Sequence, residues 1–401
     1  MMPAAQSPLP RIALIGVSGY ATIYLQLLRD ALREHSVRLV AAVVINPSEV
    51  PEVVAELRAG GTAIYASTDE LFAREAGNID LCMIPTGIQW HARMTIAALE
   101  AGMNVLVEKP LAGSPDDCTA IRQAEAATRR WVAVGFQDIY APEALWLKEQ
   151  ILSGAFGRLR EVRMIGLWPR PRSYFTRNHW AGRARADGAA VLDSPLNNAF
   201  AHFVNLALYF AGAEADESAA VRVDSAELLR AHHIEMFDTA VVLGSSPAGV
   251  RFWFGVSHAI NTLREPEIHL IGTGGSAIWR HENRCDLSFA DGRASSLPLP
   301  DAFACRRAMF DAVLARLRNP AARICTTAVA SRHADFVSAV QDASSVQTVP
   351  EALVDCTPTT AGDSEIPCVQ GLDETLARAF ASGSPLVAVT PFASPASLTH
   401  V

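Results

Sequence analysis

Two hydrophobic rhythms divide the chain. In the first third, short, mostly apolar runs at 11–17, 37–45, 79–85 and 104–110 read as strands buried on both faces, and 63–67 and 131–136 bring the number to six. Helical stripes lie between them. Tyr24, Leu27, Leu28, Ala31 and Leu32 share one helical face. "STDELFAREAG" and "QWHARMTIAALEAG" follow, the second closed by Gly102 at its C′ position. Ser114, Pro115 and Asp117 form an N-cap, a first-turn proline and a capping box for another helix. Strand and helix alternate six times in roughly 130 residues, which predicts an α/β, doubly wound parallel sheet.

After residue 137 the rhythm changes. Stretches 159–168, 220–228, 237–245, 249–258 and 267–280 are strand-like, several with strict alternation. Helical patterns flank them at 142–153, 197–211, 302–317 and 331–342. From about 345 the texture turns Pro/Thr/Ser-rich, and an irregular tail is expected that wraps its own domain or a neighbouring subunit. Within it, 372–380 reads as one short amphipathic helix with the stripe Leu372, Leu376, Ala379 and Phe380, and 384–392 as a last packed segment. The expected division is 1–137, 138–345 and a C-terminal extension, 346–401.

Half of the 401 residues are hydrophobic and 19% are charged, enough for large cores. With 34 basic against 42 acidic residues the net charge is −8, which argues against nucleic-acid and anionic-membrane partners. No apolar run approaches the ~18 residues of a membrane span. "MMPAAQSPLP" has neither the basic nor the apolar region of a signal peptide. The seven cysteines are scattered without a C-x-x-C, so neither a disulfide framework nor zinc is expected. A cytoplasmic protein fits best.

Between the first strand and first helix stands "GVSGYA". Gly16 and Ala21 meet the outer positions of G-x-G-x-x-G/A, while Ser18 takes the middle glycine's place and Gly19 stands beside it. In a βαβ context this turn suits phosphate approaching backbone N–H groups at a helix N-terminus. The second strand runs into Val44 and Asn46, where an acid would grip an adenosine ribose, so NAD and NADP both remain open.

"VLVEKPL" (105–111) ends a buried strand with an acid, a base and a proline. Together with "GVSGYA", "CMIPTGIQWHARMTIAALEAGMNVLVEKPL", "GFQ" (135–137) and "GTGGSAIW" (272–279), it resembles the glucose–fructose oxidoreductase / inositol dehydrogenase / rhizopine-catabolism (Gfo/Idh/MocA) superfamily over residues 10–340. The resemblance implies a Rossmann domain followed by an α+β domain with an open, mostly antiparallel sheet. It also implies hydride transfer between NAD or NADP and a carbon of a sugar, polyol or sugar acid. "VRFWFGV" is apolar enough for two such sheets to pack as a homodimer or homotetramer; a fully covered sheet explains it equally well.

Cofactor contacts are implied for Gly16, Ser18, Gly19, Tyr20, Asn46, Pro85, Thr86, His91, Glu108, Lys109 and Gln137. Lys109 would present its ammonium to the substrate oxygen, stabilising developing alkoxide. Pro110 would stiffen the turn, and family members suggest a cis Lys–Pro bond. His202 matches the family histidine that exchanges the substrate proton, but Asn198 stands four residues earlier where an acid is usual, and Asn205 three residues later. Asp193 is the nearest acid, so a displaced Asp193 and a true replacement by Asn198 both stay open. With Asn198 and Asn205 in place of acids, the imidazole is expected to lack the carboxylates usual at those two positions.

The loop "WPRPRSYFTRNHWAGR" (168–183) should carry specificity. Tyr174, Asn178 and Trp180 resemble sugar-pocket positions, and Arg170 and Arg172 would suit a carboxylate or phosphate. His232, His233, Glu235 and Asp238 cluster in sequence, but adjacent strand residues face opposite ways, and no metal is expected. Two further readings share the scaffold: NAD-dependent glycoside cleavage, and a non-catalytic nucleotide-sensing regulator.

Overall fold

The computed structural model describes residues 8–386, which form two compact units. The first holds residues up to 112, 116–135 and 306–327; the second holds 113–115, 136–305 and 328 onward. Among the described residues no helix is long and apolar enough to cross a membrane.

The first unit runs β1 (Arg11–Ile15), α1 (Ala21–Arg33), β2 (Arg38–Val43), α2 (Pro51–Ala59), β3 (Ala63–Tyr65), α3 (Thr68–Glu75), β4 (Leu81–Ile84), α4 (Ile88–Glu100), β5 (Asn104–Val107), α5 (Pro115–Thr128) and β6 (Val132–Val134). The strands pair in parallel in the order β3-β2-β1-β4-β5-β6. This is the doubly wound order that reverses beside β1, where open α/β sheets bind ligands at strand carboxyl ends. Residues 81–84 and 105–107 are wholly buried, as continuous apolar runs demand. Gly102 has φ +85° just past α4, the expected C′ geometry.

The second unit contains α6 (Pro142–Leu152), β7 (Leu159–Leu167), the small hairpin β8 (Arg185–Ala186) and β9 (Ala189–Ala190), α7 (Ala201–Phe210), β10 (Arg222–Arg230), β11 (Thr239–Ser245), β12 (Arg251–Ser257), β13 (Arg264–Gly272), β14 (Gly275–Arg280), β15 (Arg284–Phe289) and β16 (Ala294–Pro298). Then come α8 (Ala302–Arg318), most of which belongs to the first unit, α9 (Thr327–Ala343), β17 (Val346–Thr348), β18 (Val354–Pro358), β19 (Glu365–Val369) and α10 (Leu372–Ser382). A mixed, mostly antiparallel sheet runs β16-β15-β14-β13-β7-β12-β11-β10-β17.

Alternation along β12 covers both faces of this sheet. Phe254 meets Phe336 of α9 with ring centroids 4.8 Å apart. Trp253 points the other way, 5.4 Å from Phe380 of α10, and its indole N–H donates to the Ser384 carbonyl at 2.9 Å. The tail stripe Leu372, Leu376, Ala379 and Phe380 is buried here with Ile165, Val241 and Trp253. A covered sheet thus accounts for "VRFWFGV" within one chain.

Three expectations change. The stretch 267–280 is two strands, β13 and β14, because Gly272 and Gly275 turn against Phe156; an added Cβ on Gly272 would lie 2.2 Å from the Phe156 carbonyl oxygen. The helix expected from 197 starts at Ala201, after hydrogen-bonded turns over 194–200. The tail expected to be irregular holds β17 and the β18–β19 hairpin, whose polar residues carry no clear alternation. β16 is polar almost throughout, whereas β15 does alternate Cys285, Leu287 and Phe289 with polar residues. Residues 387–392 of the last packed segment lie outside the described residues.

Candidate functional site

In the first unit, residues 16–20 link the end of β1 to α1. Gly16 and Gly19 have φ of +87° and +59°, the left-handed region that favours glycine. Gly16 N–H donates to Val43 O at 3.0 Å, tying the turn to the end of β2. Tyr20 caps α1 without a side-chain hydrogen bond, the first turn carries no acid, and a Cβ on Gly19 would meet nothing within 4 Å. This leaves an open helix N-terminus suited to an anion. Asn46, just past β2, is exposed and donates to Glu49 at 2.9 Å.

The end of β5 is built more tightly. Glu108 is buried and accepts a 2.6 Å hydrogen bond from Tyr24 of α1. Burial holds its carboxyl above the usual carboxylate range, against the downward pull of Lys109 and of the Tyr24 hydroxyl. Gly135 makes this possible, since a Cβ there would sit 2.6 Å from Glu108 Oε2 and 2.8 Å from the Tyr24 hydroxyl. Lys109 is half-buried, and its bond to Pro110 is cis.

His91 of α4 is fully buried, with Nδ1 2.8 Å from Pro110 O and Nε2 3.1 Å from Thr86 O. It joins the Pro85–Gly87 loop to the Lys109–Pro110 turn. Burial pushes its pKa down to about 4, although both carbonyls pull it up. A neutral imidazole has one N–H and donates to only one of these carbonyls. The folded value lies below the ordinary 6.5, so the unfolded chain binds the extra proton first. The neutral histidine's contribution is complete above pH 6.5 and lost as pH falls through about 4. Acidification across that window is expected to cost the wild type roughly 3 kcal/mol more than His91→Gln, measured by denaturant unfolding. Equal losses would refute this.

In the second unit, His202 is the second residue of α7. Its Nδ1 lies 3.4 Å from Asp138 Oδ2, with the two side chains 11% and 6% exposed. Asp138 sits in the 3₁₀ turn Gln137–Tyr140. Asp193 is also buried; it accepts from Gly182 N–H at 2.6 Å and from the Asn198 amide at 2.7 Å, and lies 4.0 Å from Arg177. The two candidate acid positions are therefore joined to each other. Arg170 and Arg177 lie 4.7 and 3.7 Å from the Tyr174 ring, and Arg177 lies 5.4 Å from Trp180.

Residues 10–136 match the model of an oxidoreductase family with an NAD-binding Rossmann fold, and residues 145–278 match the GFO/IDH/MocA C-terminal domain. The chain belongs to the Gfo/Idh/MocA oxidoreductase family. Inositol 2-dehydrogenase 4 of Saccharopolyspora erythraea is 39% identical over 103 residues, 25% of this chain and 30% of the relative. The inositol 2-dehydrogenase/D-chiro-inositol 3-dehydrogenase of Shouchella clausii is 33% identical over 152 residues, 38% and 43% of the two chains. The matched stretches thus span less than half of either relative. An inositol dehydrogenase homologue from Azotobacter vinelandii, solved with NAD+, has a TM-score of 0.70 at 19% identity, covering 84% of this chain and 95% of that one. At that identity the likeness bears on the fold.

The first unit is this family's NAD-binding domain, and its residues fit the cofactor: an open α1 N-terminus and a turn of two left-handed glycines could hold a pyrophosphate. Several expected contacts have other partners. His91 is wholly enclosed and acts on two loops. Gln137 is buried in the second unit's 3₁₀ turn. Asn178 closes its own loop by accepting from the Trp180 and Ala181 N–H groups. Arg172 is tied to the β18–β19 hairpin through Cys356 at 3.6 Å and Glu365 at 3.9 Å.

Two residues were missed. Asp138 gives His202 the carboxylate that it was expected to lack; its signal was an acid directly after "GFQ" and before the apolar Ile139 and Tyr140. The second is the role of Gly135 in the same motif, whose missing Cβ leaves room for Glu108 and the Tyr24 hydroxyl. Of the supposed metal cluster, His232 and Asp238 do meet, Nδ1 to Oδ2 at 2.8 Å, but His232 Nε2 lies 3.0 Å from the Arg170 carbonyl. That pair braces the 168–183 loop, and among the described residues no metal-binding group of three or more is found.

Proposed function

We propose that this protein is an NAD(P)-dependent dehydrogenase acting on a CH–OH group of a sugar, polyol or sugar acid. The observation that carries the reading is the braced Glu108-Lys109-Pro110 turn at the carboxyl end of β5, on a sheet whose neighbouring turn is built for a dinucleotide. When bound, the nicotinamide accepts or donates the hydride. Lys109 donates a hydrogen bond to the reacting oxygen and stabilises the negative charge that develops there. His202 takes up the hydroxyl proton during oxidation and returns it during reduction. Trp180 offers an aromatic face to sugar C–H groups, and Arg170 and Arg177, stacked on the Tyr174 ring, favour substrates bearing a carboxylate.

The test is a panel of inositols, hexoses and hexuronates with NAD and NADP, read by absorbance of the reduced nicotinamide. Cofactor-dependent turnover of at least one member is expected. Firm cofactor binding with no reduction across the panel would overturn the reading.

A further inference from the structure

The imidazole of His202 is held by two elements of one unit. Phe136 meets it edge-on, with centroids 6.0 Å apart and planes at 86°, and Phe203 lies 6.4 Å away at 60°. These rings restrict rotation of the imidazole. Its Nδ1 stands 3.4 Å from Asp138 Oδ2. Asp138 is itself only 5% exposed, between the buried residues Gln137 and Ile139. A carboxylate in such surroundings is costly unless a donor or cation faces it. The sequence places no acid at 198, in the turn before α7, or at 205, one turn further along it.

We propose that Asp138 is a positioning residue for catalysis: it keeps the proton of neutral His202 on Nδ1, leaves Nε2 as the basic nitrogen, and stabilises the imidazolium that forms when His202 takes up a proton. This rests on the reading of His202 as the proton-exchanging residue. The balance is simple. The substrate O–H bond breaks, its proton bonds to Nε2, and the electron pair stays on oxygen as the hydride leaves the carbinol carbon for the nicotinamide. Asp138 stays ionised throughout. The carboxylate fixes the tautomer as a buried acid facing Nδ1 does for other catalytic histidines.

The experiment combines spectroscopy with kinetics. Protein with ¹⁵N-labelled histidine is compared as wild type, Asp138→Asn and His202→Gln, the last assigning the His202 signals among 11 histidines. The wild type should show the Nδ1-protonated tautomer, and Asp138→Asn a mixed or reversed one, with both folded by circular dichroism. On any substrate found by the panel, Asp138→Asn should lower kcat by about 10²–10³-fold and change KM by less than about 3-fold. An Nε2-protonated wild type, or identical spectra for wild type and Asp138→Asn, overturns the pairing without requiring a substrate. A tautomer change with unaltered kcat overturns the catalytic role; there the pairing survives and the assignment of His202 as proton carrier fails.

Discussion

Lys109→Ala is expected to lower kcat by about 10²–10³-fold while leaving cofactor affinity within about 3-fold of wild type. The lysine follows a strand buried at every position from Val105 to Val107, so its backbone has little freedom. Its neighbours are fixed independently of it: Glu108 through the Tyr24 hydroxyl and Pro110 through His91. Alanine should therefore remove the ammonium and leave the turn in place. An interaction made mainly in the transition state lowers kcat and kcat/KM together, and that pattern is the expected signature. Lys109→Arg should recover little, because a planar guanidinium places its donors differently from a compact ammonium. Steady-state kinetics on a panel substrate, with NADH fluorescence titration for affinity, decides the matter. Wild-type turnover by Lys109→Ala would end the proposed mechanism.

The legible parts of the sequence were those in which one residue type serves one physical need. Continuous apolar runs suit parallel strands covered on both sides, so six strands in a doubly wound parallel sheet followed from pattern. Gly16 and Gly102 stand where the chain turns with positive φ, and both were visible as punctuation. The polar edge strand β16 and the β18–β19 hairpin were not, because a sheet edge or a hairpin exposed to water needs few apolar residues. Contacts between distant segments were hidden for another reason. Asp138 and His202 are 64 positions apart, and nothing in helical or strand spacing pairs them. Helical spacing points to an acid four residues before His202; the carboxylate comes instead from the 3₁₀ turn that holds Asp138.

Lys148→Met is expected to destabilise the second unit by about 3 kcal/mol, which lowers its melting temperature by roughly 6–12 °C. Lys148 is fully buried in α6. Its ammonium donates at 2.6 Å to the carbonyls of Tyr209 and Gly212, and at 3.4 Å to that of Glu217. It also lies 5.0 Å from the Tyr209 ring. Tyr209 is in the last turn of α7, where unpaired carbonyls and the negative end of the helix dipole gather. Gly212 lets the Glu217 strand of chain come close, since a Cβ there would fall 1.9 Å from the Glu217 oxygen and 3.0 Å from Lys148 Nζ. Methionine keeps most of the side chain's volume and relieves the desolvated charge, yet it leaves these carbonyls buried without their donor. The second effect outweighs the first because each orphaned carbonyl costs about 1–3 kcal/mol. Arginine should do no better, as its wider fork does not fit a space closed by Gly212. Because His202 sits at the opposite end of the same helix, Lys148→Met should keep kcat within about 3-fold at temperatures where it is folded. Thermal unfolding followed by circular dichroism, with kinetics at low temperature, measures both quantities. A melting temperature within 2 °C of wild type would show that the helix end is satisfied without the lysine.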